Sequence, residues 1–251
     1  MIDRSTGSKP ADSPLSSLEL IRWQPPGPYA VAFTTRRGGV SEGPYASLNL
    51  GRMNGDEPEH VDENRRRLCS EVDADAGPLA LNRQVHSTHV HHARPGARGE
   101  PGDGLWTDEP GLPMLALTAD CLPIAIARPD GEAPALAVLH AGWRGVLDGV
   151  IEAGVHAVGG RANAAVGPAI GPCCYEVGID LADRFRARFG ADVVRGRMLD
   201  LWTSAERALR ASGCATVERV DLCTACNEHL FFSERRTGKP RGTQGVVGLV
   251  A

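Results

Sequence analysis

The sequence is poor in lysine and in long apolar runs, and each shortage excludes a class of protein. Only two of its 27 basic residues are lysines and the formal net charge is −4, so no basic surface suited to nucleic acid is predicted. No run is long and apolar enough to cross a membrane. With 251 residues, 42% of them hydrophobic, the chain is predicted to be globular with a sizeable core. We expect neither nucleic acid nor a membrane among its partners.

The first residues also lack the apolar segment of a secretory signal. Residues 1–20 are mostly polar and are predicted to be a disordered tail, with one domain over residues 21–251. An odd number of cysteines, seven, in a chain without such a signal indicates free thiols in a reducing compartment. The expected location is the cytoplasm.

What the chain does contain is a set of short apolar runs suited to buried strands. Residues 114–117, 122–127 and 136–139 form three such runs, the last two joined by a turn at Pro129-Asp130-Gly131. The remaining predicted strands are 29–35, 164–170, 217–222 and 246–250, and the predicted helices are 59–72, 143–158, 181–189 (capped by Asp180) and 201–211 (capped by Asp200). Strands and helices do not alternate strictly, which favours an α+β fold with a mixed sheet over a doubly wound one.

Two reactive side chains interrupt the central apolar runs. Cys121 follows Asp120 between two runs, and His140 ends the third, just before a glycine and a predicted helix. At the ends of neighbouring strands, a thiol and an imidazole can share a metal or form a thiolate–imidazolium pair. Equally, Cys121 can be a small buried side chain and His140 a core histidine. From these two residues alone the second interpretation is favoured, because Cys is among the most often buried residues.

Four further histidines lie close together in residues 78–93. If this stretch is a strand, His86 and His92 share one face while His89 and His91 share the other. They therefore cannot all bind one metal. His86 follows the apolar part of the segment and is the one expected nearest the core, ahead of a Gly- and Pro-rich loop over residues 94–113.

Two arginines are candidates for holding an anion. Arg36 precedes a Gly-Gly pair that allows close backbone approach. Arg144 lies at the predicted helix start after His140, where free N–H groups also attract anions. Either can instead be an ordinary solvated side chain.

The remaining cysteines of interest form two pairs. Cys173 and Cys174 are adjacent and are interpreted as packed thiols near the site. Cys223 and Cys226 have C-x2-C spacing, which is typical of zinc sites and of redox pairs. Because we expect no second pair to complete four ligands, ordinary thiols are favoured.

Taken together, several segments resemble one family, the YfiH-type or laccase-domain proteins. The most specific are Ala-Asp-Cys-Leu-Pro at 119–123 and His-Ala-Gly-Trp-Arg-Gly at 140–145. The full set, in family order, is residues 35–41, 47–51, 63–65, 84–86, 119–124, 140–145, 171–177 and 231–233. The resemblance implies a mixed-sheet or sandwich core flanked by helices, the CNF/YfiH-like fold. It also implies a zinc site formed by His86, Cys121 and His140.

The family resemblance further implies an activity. It predicts a zinc-dependent purine nucleoside phosphorylase acting on adenosine, inosine, guanosine and S-methyl-5′-thioadenosine, with some adenosine deaminase activity. Three protein ligands and an open position are typical of a catalytic zinc. In this interpretation Arg36 and Arg144 hold phosphate, Asn49 contacts the nucleoside, and Asp120 stabilises positive charge on the sugar.

The chain departs from the family pattern at two places. Ser87 replaces the glycine that usually follows the first metal histidine, and Glu234 replaces a tyrosine in the C-terminal motif. The predicted metal ligands are unaffected, whereas the C-terminal rim of the pocket differs from the family pattern.

Three other functions remain as alternatives. The first is a copper-dependent polyphenol oxidase, because two His and one Cys resemble blue-copper ligands; against it, only His89 and His91 form the paired arrangement that multicopper enzymes need. The second is a cysteine hydrolase linked to peptidoglycan editing, with Cys121 as nucleophile and His140 as base. The third is a structural domain stapled by zinc.

Overall fold

The computed structural model describes residues 1–3, 18–129 and 131–251. Its strands are β1 (Ile2–Asp3), β2 (Leu20–Trp23), β3 (Tyr29–Thr34), β4 (Leu81–Arg83), β5 (Val90–His92), β6 (Arg98–Pro101), β7 (Gly104–Thr107), β8 (Met114–Thr118), β9 (Leu122–Ala127), β10 (Leu136–Ala141), β11 (Ala162–Val166), β12 (Val194–Arg195), β13 (Met198–Leu199), β14 (Cys214–Arg219) and β15 (Gln244–Val250). Its α-helices are α1 (Pro58–Glu71), α2 (Trp143–Asp148), α3 (Val150–Ala157), α4 (Ile179–Phe189), α5 (Leu201–Ala211) and α6 (Glu234–Thr237).

Two sheets form the centre of the molecule. One has the order β1-β2-β3-β15-β8, and the other has the order β14-β11-β9-β10-β7-β5. The second sheet is mixed, because β11 pairs with β14 and β5 with β7 in parallel while its other pairs are antiparallel. This confirms the prediction of a single α+β domain with a mixed sheet and flanking helices.

The alternation of side chains along β9 explains why its whole run is apolar. Ala125 and Ala127 face a core shared with the first sheet, whereas Ile124 and Ile126 face a second core under the helices. Successive residues of a strand point to opposite faces, so a strand packed between a sheet and a helical layer must be apolar at every position. All six residues of β9 and of β10 are buried.

Most predicted elements are found, with differences at their ends. The predicted helix over 143–158 is two helices, because Gly149 has φ 107° and takes a left-handed conformation between α2 and α3. Asp180 lies inside α4, whose N-cap is Gly178, so its prediction as the cap is wrong. The cap at Asp200 is confirmed, since its carboxylate accepts a hydrogen bond from the Thr203 N–H at 2.9 Å.

The histidine-rich stretch is not a continuous strand. It forms the short strands β4 and β5 with a turn between them, and His86 lies in that turn with φ 58°. The face assignment of His86 on a strand is therefore wrong. The region predicted as a loop over 94–113 contains β6 and β7.

The predicted tail falls largely outside the described residues, as does Asp130 of the predicted turn. At the two ends of that tail the structure differs from the prediction, because Ile2 pairs with Trp23 and Leu20 with Thr34 in the first sheet. Among the described residues, no helix has the length and apolar character needed to cross a membrane.

Candidate metal centre

Cys121 and His140 come together because their strands are antiparallel neighbours. In the register of β9 with β10, Ala141 lies opposite Leu122 and His140 opposite Pro123, so the residue just before β9 reaches the end of β10. His86 joins them from the turn between β4 and β5. One ligand atom from each of the three lies within 4.8 Å of the others, and the two imidazole rings are 4.8 Å apart at their centroids.

Asp103 orients the His140 ring and holds the backbone of the turn that carries His86. Its Oδ1 lies 2.7 Å from His140 Nδ1 and accepts the backbone N–H of His86 at 3.0 Å. Its Oδ2 accepts the N–H of Ser87 at 2.6 Å and the Ser87 hydroxyl at 2.8 Å. An ionised carboxylate only accepts hydrogen bonds, so His140 Nδ1 carries the proton. Its Nε2 is therefore the nitrogen available to a metal.

The ionisation of these groups follows from their contacts. Burial alone would raise the pKa of Asp103, but hydrogen bonds from His140 and Ser87 outweigh it and hold the pKa well below its usual range. Burial alone would lower the pKa of His140, but the negative charge of Cys121 and the bond to Asp103 raise it to about 9. For His86, burial lowers the pKa and the charge of His140 adds to this effect. Asp103 is therefore an ionised carboxylate, and the two imidazoles differ because the pKa of His140 is raised whereas that of His86 is lowered.

Sequence reasoning missed Asp103, which it placed in an unassigned loop. The only sequence signal was its place before Gly104 in a Gly-rich segment. Pairing of β7 with β10 puts Gly104 opposite Leu139, and the His140 N–H donates to the Asp103 carbonyl at 2.8 Å. This neighbour relation depends on strand pairing across 37 residues, which local sequence does not reveal.

Gly142 leaves the room that the ligands occupy. A Cβ at this position would lie 2.6 Å from His86 Nδ1 and 3.1 Å from Cys121 Sγ. Its φ of −77° is one that any residue adopts, so the requirement for glycine is one of space.

The donor set fits a zinc ion. A cysteine sulfur and two imidazole nitrogens are ordinary zinc ligands, and three protein ligands leave a position for substrate. A carboxylate that accepts a hydrogen bond from the ring nitrogen not bound to the metal is also typical of such sites. His86, Cys121 and His140 would hold the ion, and Asp103 would orient His140.

Asp120, next to Cys121, is held from two sides. Its side chain accepts the Thr224 hydroxyl at 2.6 Å and the Arg235 N–H at 2.7 Å. It is 8% exposed and has φ 89°, a conformation rare outside glycine. Tyr175 also borders the site, since burial and the negative charges of Cys121 and Asp120 raise the pKa of its phenol. Sequence reasoning assigned no role to Thr224, Arg235 or Tyr175.

The two predicted anion-binding arginines differ in position. Arg144 is exposed, with its guanidinium 4.7 Å from the centroid of the Trp143 ring, and its charge contributes to the lowered pKa of His86. Arg36 instead lines a surface cleft with Arg37, Ala46, Ser47, Glu228 and His229. Its guanidinium donates to the carbonyls of Ala46 and Glu228. The structure therefore brings Arg144 near the three ligands and places Arg36 in a cleft that none of them lines.

Asn49 is fully buried, and its side chain forms hydrogen bonds within the protein. Its Nδ2 donates to the Gly51 carbonyl at 3.1 Å and to Asp56 Oδ2 at 2.8 Å, and its Oδ1 accepts the Thr243 N–H at 2.9 Å. These bonds join the segment before α1 to the segment before β15. The geometry indicates a structural role, whereas the sequence predicted contact with a nucleoside.

We expect Asn49→Ala to lower the free energy of unfolding by about 2 kcal/mol, because it leaves buried partners without hydrogen bonds. Urea unfolding followed by circular dichroism measures this. Unchanged stability together with a raised KM for nucleoside would contradict the structural role and support substrate contact.

We expect Asp103→Asn to weaken zinc binding at this centre by about 10–100-fold, as found for comparable partners of metal-ligating histidines. An amide would place an NH2 group against N–H donors that now face a carboxylate. Chelator competition at fixed pH measures the affinity. Asp108→Asn is the matched control. Asp108 Oδ1 lies 3.1 Å from Nε2 of an exposed histidine, His92, which is not one of the three possible ligands. Equal affinities of the two variants would contradict an orienting role for Asp103.

A second group of possible metal ligands lies elsewhere. The sulfurs of Cys173, Cys174, Cys223 and Cys226 all lie within 4.8 Å of one another. The expectation that Cys223 and Cys226 lack a second pair is therefore wrong, because Cys173 and Cys174 supply it. These four cysteines form a group that could hold a metal ion.

Comparison with known proteins places this geometry in context. The model of a family described as "multi-copper polyphenol oxidoreductase laccase" matches residues 30–250. The chain is 37% identical over 238 residues to a purine nucleoside phosphorylase of Pseudomonas aeruginosa, with 90% of this chain and 96% of that protein covered. It is 36% identical over 236 residues to purine nucleoside phosphorylase YfiH of Escherichia coli, with 88% and 94% covered.

Solved structures agree with these sequence matches. YlmD from Geobacillus stearothermophilus superposes with a TM-score of 0.83 at 32% identity, covering 92% of this chain and 96% of that one. The Neisseria meningitidis protein NMB0706 gives 0.83 at 32% identity, covering 94% and 99%. The similarity thus extends over nearly the whole chain.

Proposed function

Because this chain belongs to the YfiH-type family of laccase-domain proteins, we propose that it is a zinc-dependent purine nucleoside phosphorylase. The observation that carries the proposal is the convergence of His86, Cys121 and His140, with ligand atoms within 4.8 Å of one another. The names of its relatives support the reaction. The proposed substrates are phosphate with adenosine, inosine, guanosine or S-methyl-5′-thioadenosine, and deamination of adenosine is a proposed secondary activity.

A zinc ion held by these ligands would supply a Lewis acid beside the bound substrate. The protein's own part is to position that ion and the reactants. Asp103 holds the His86 turn and keeps His140 Nε2 turned away from itself. The buried carboxylate of Asp120 is held by Thr224 and Arg235 next to Cys121. As the glycosidic bond breaks, positive charge develops on the sugar, and a fixed anion nearby stabilises it.

Phosphate needs a cation beside the ligands, and Arg144 is the best placed. Its guanidinium is exposed and rests on the Trp143 ring at the start of α2. Arginine suits this role because its planar fork matches two phosphate oxygens. Arg36 lines a separate cleft, so its proposed contribution to phosphate binding is a secondary one, through the positive charge of its guanidinium.

The experiment is to supply zinc-loaded protein with inosine, with and without phosphate, and to measure hypoxanthine. We expect release only with phosphate, and a raised KM for phosphate in Arg144→Gln. Arg184→Gln is the matched control, because Arg184 is an exposed arginine that lies 3.8 Å from Asp148. No release of base from any nucleoside by zinc-loaded protein would overturn the proposal.

One observation favours a second candidate, the cysteine hydrolase. The Cys121 sulfur lies within 4.8 Å of a ring nitrogen of His140, whose Nδ1 faces Asp103, an arrangement that resembles a nucleophile–base–carboxylate triad. His86 is the residue that this reading leaves without a role. Rapid labelling of Cys121 by an electrophile in zinc-loaded protein would favour the hydrolase, because a metal-bound thiolate is protected.

Copper-dependent phenol oxidation is the activity that the family model's description names. Multicopper chemistry needs several clustered histidines. All eight histidines lie within the described residues, and there only His86 and His140 belong to a group of three possible ligands. This favours zinc over copper as the cofactor of the proposed enzyme.

We also propose that the protein acts in the cytoplasm. All seven of its cysteines are free, including pairs whose sulfurs are 3.4 and 3.5 Å apart. Free thiols this close persist in a reducing compartment.

A further inference from the structure

Parallel strand pairing brings the two cysteine pairs to the same end of two neighbouring strands in the second sheet. β11 and β14 run parallel, so the loops that follow them leave the sheet at the same end. The pairing continues beyond the strands through a bridge between Ala169 and Cys223, where the Thr224 N–H donates to the Ala169 carbonyl at 3.1 Å. Cys173 and Cys174 follow in the first loop, and Cys223 and Cys226 lie in the second.

The spacing of the four sulfurs is that of ligands around one ion. Cys226 Sγ lies 3.5 Å from Cys173 Sγ and 3.4 Å from Cys174 Sγ, and all four sulfurs lie within 4.8 Å of one another. A tetrahedral zinc with Zn–S bonds of about 2.3 Å separates its sulfurs by about 3.8 Å. Modest adjustment of side-chain torsions would close the group around zinc.

The surroundings of Cys223 suit a negatively charged sulfur. The Gly171 N–H points at Cys223 Sγ at 3.3 Å, an interaction typical of the atoms around metal-bound ligands. The guanidinium of Arg235 donates to the Cys174 carbonyl at 3.1 Å, which places a positive charge beside the group. Cys223 is buried, whereas Cys173 and Cys226 are exposed, so an ion can enter from solvent.

We propose that Cys173, Cys174, Cys223 and Cys226 bind a second zinc ion, separate from the His86–Cys121–His140 centre. Four thiolates favour zinc and, with no position left open, give a structural site. This inference stands on its own geometry and does not require the proposed phosphorylase activity.

The second zinc would stabilise the loops that hold Asp120. Thr224, between Cys223 and Cys226, donates its hydroxyl to Asp120 at 2.6 Å, and Arg235 links the Cys174 carbonyl to Asp120 through its own N–H. Closing the four cysteines around one ion fixes both loops relative to each other. The ion therefore supports the carboxylate beside Cys121 from outside the catalytic centre.

The test uses the variant His86→Ala/His140→Ala, which removes two ligands of the first centre. After zinc loading and desalting, we expect one tightly bound zinc per chain, with four sulfur neighbours at about 2.3 Å by X-ray absorption. Adding Cys223→Ser and Cys226→Ser should remove that zinc. Cys69→Ala and Cys214→Ala in the same background should retain it, because both thiols lie away from the group.

A measurement on the unaltered protein does not depend on how the variants fold. Titration with a mercurial should release the second zinc after about four thiols have reacted, read by a chromogenic zinc dye. No zinc in the histidine variant, iron in its place, or a disulfide between the two pairs in zinc-loaded protein would overturn the proposal.

Discussion

Gly142→Ala is expected to empty the His86–Cys121–His140 centre of zinc while the fold stays intact. The added methyl carbon would lie 2.6 Å from His86 Nδ1 and 3.1 Å from Cys121 Sγ, well inside normal contact distances. Because φ is −77° at this position, alanine adopts the same backbone and the damage stays within the site. We expect zinc affinity to fall by about 100-fold or more, comparable to the upper range for partners of metal ligands.

Gly178→Ala is a matched control for this experiment. Gly178 is also the N-cap of a helix, has φ −66° and ψ 158°, and has nothing within 4 Å of the position that a Cβ would take. Chelator competition and thermal unfolding should show normal zinc affinity in Gly178→Ala and near-normal stability in both variants. Full zinc affinity in Gly142→Ala would show that the ligands do not converge as described.

Cys121→Ala is expected to abolish phosphorolysis. It removes the only sulfur of the first centre and leaves two imidazoles, so zinc binding there should be lost. A Lewis acid contributes several kcal/mol to a transition state, which corresponds to a loss of about 10³-fold or more in kcat/KM. The measurement is phosphate-dependent release of hypoxanthine from inosine together with zinc content, which should fall by one ion per chain.

The matched control is Cys214→Ala, which removes a thiol at the start of β14 that belongs to neither group of possible ligands. It should keep both the rate and the zinc content. If Cys121→Ala retained the rate, the centre would not be catalytic. If it lost the rate while keeping its zinc, the thiol would act as a nucleophile, as in the hydrolase alternative.

The relation between Cys121 and His140 could be predicted from the sequence because it rests on two adjacent strands. Residues 122–127 and 136–139 are both apolar throughout, and a short connection makes antiparallel pairing the natural outcome. The pattern also placed α5 correctly, with Asp200 as its cap. His86 was assigned as a zinc ligand only through the family motifs, since its own segment was predicted to be a strand.

The parts that were missed depend on contacts between distant segments. Asp103 reaches His140 because β7 pairs with β10, and the second cysteine pair reaches Cys223 and Cys226 because β11 and β14 are parallel. Neither pairing has a local sequence signal. Asn49 could not be judged from its motif either: its predicted contact with a nucleoside stays a prediction, while its burial and its hydrogen bonds between loops indicate a structural role.

The sequence by itself determined the class of fold, most of the strands and helices, and the chemical types of the metal ligands. These follow from apolar periodicity and from residue chemistry, both of which are local properties. The tertiary structure alone decided how closely the possible ligands converge, that Asp103 orients His140, and that four cysteines form a second group of possible ligands. Those relations are set by strand register and direction. Which strands pair in a sheet decides which side chains meet, however far apart the residues are along the chain.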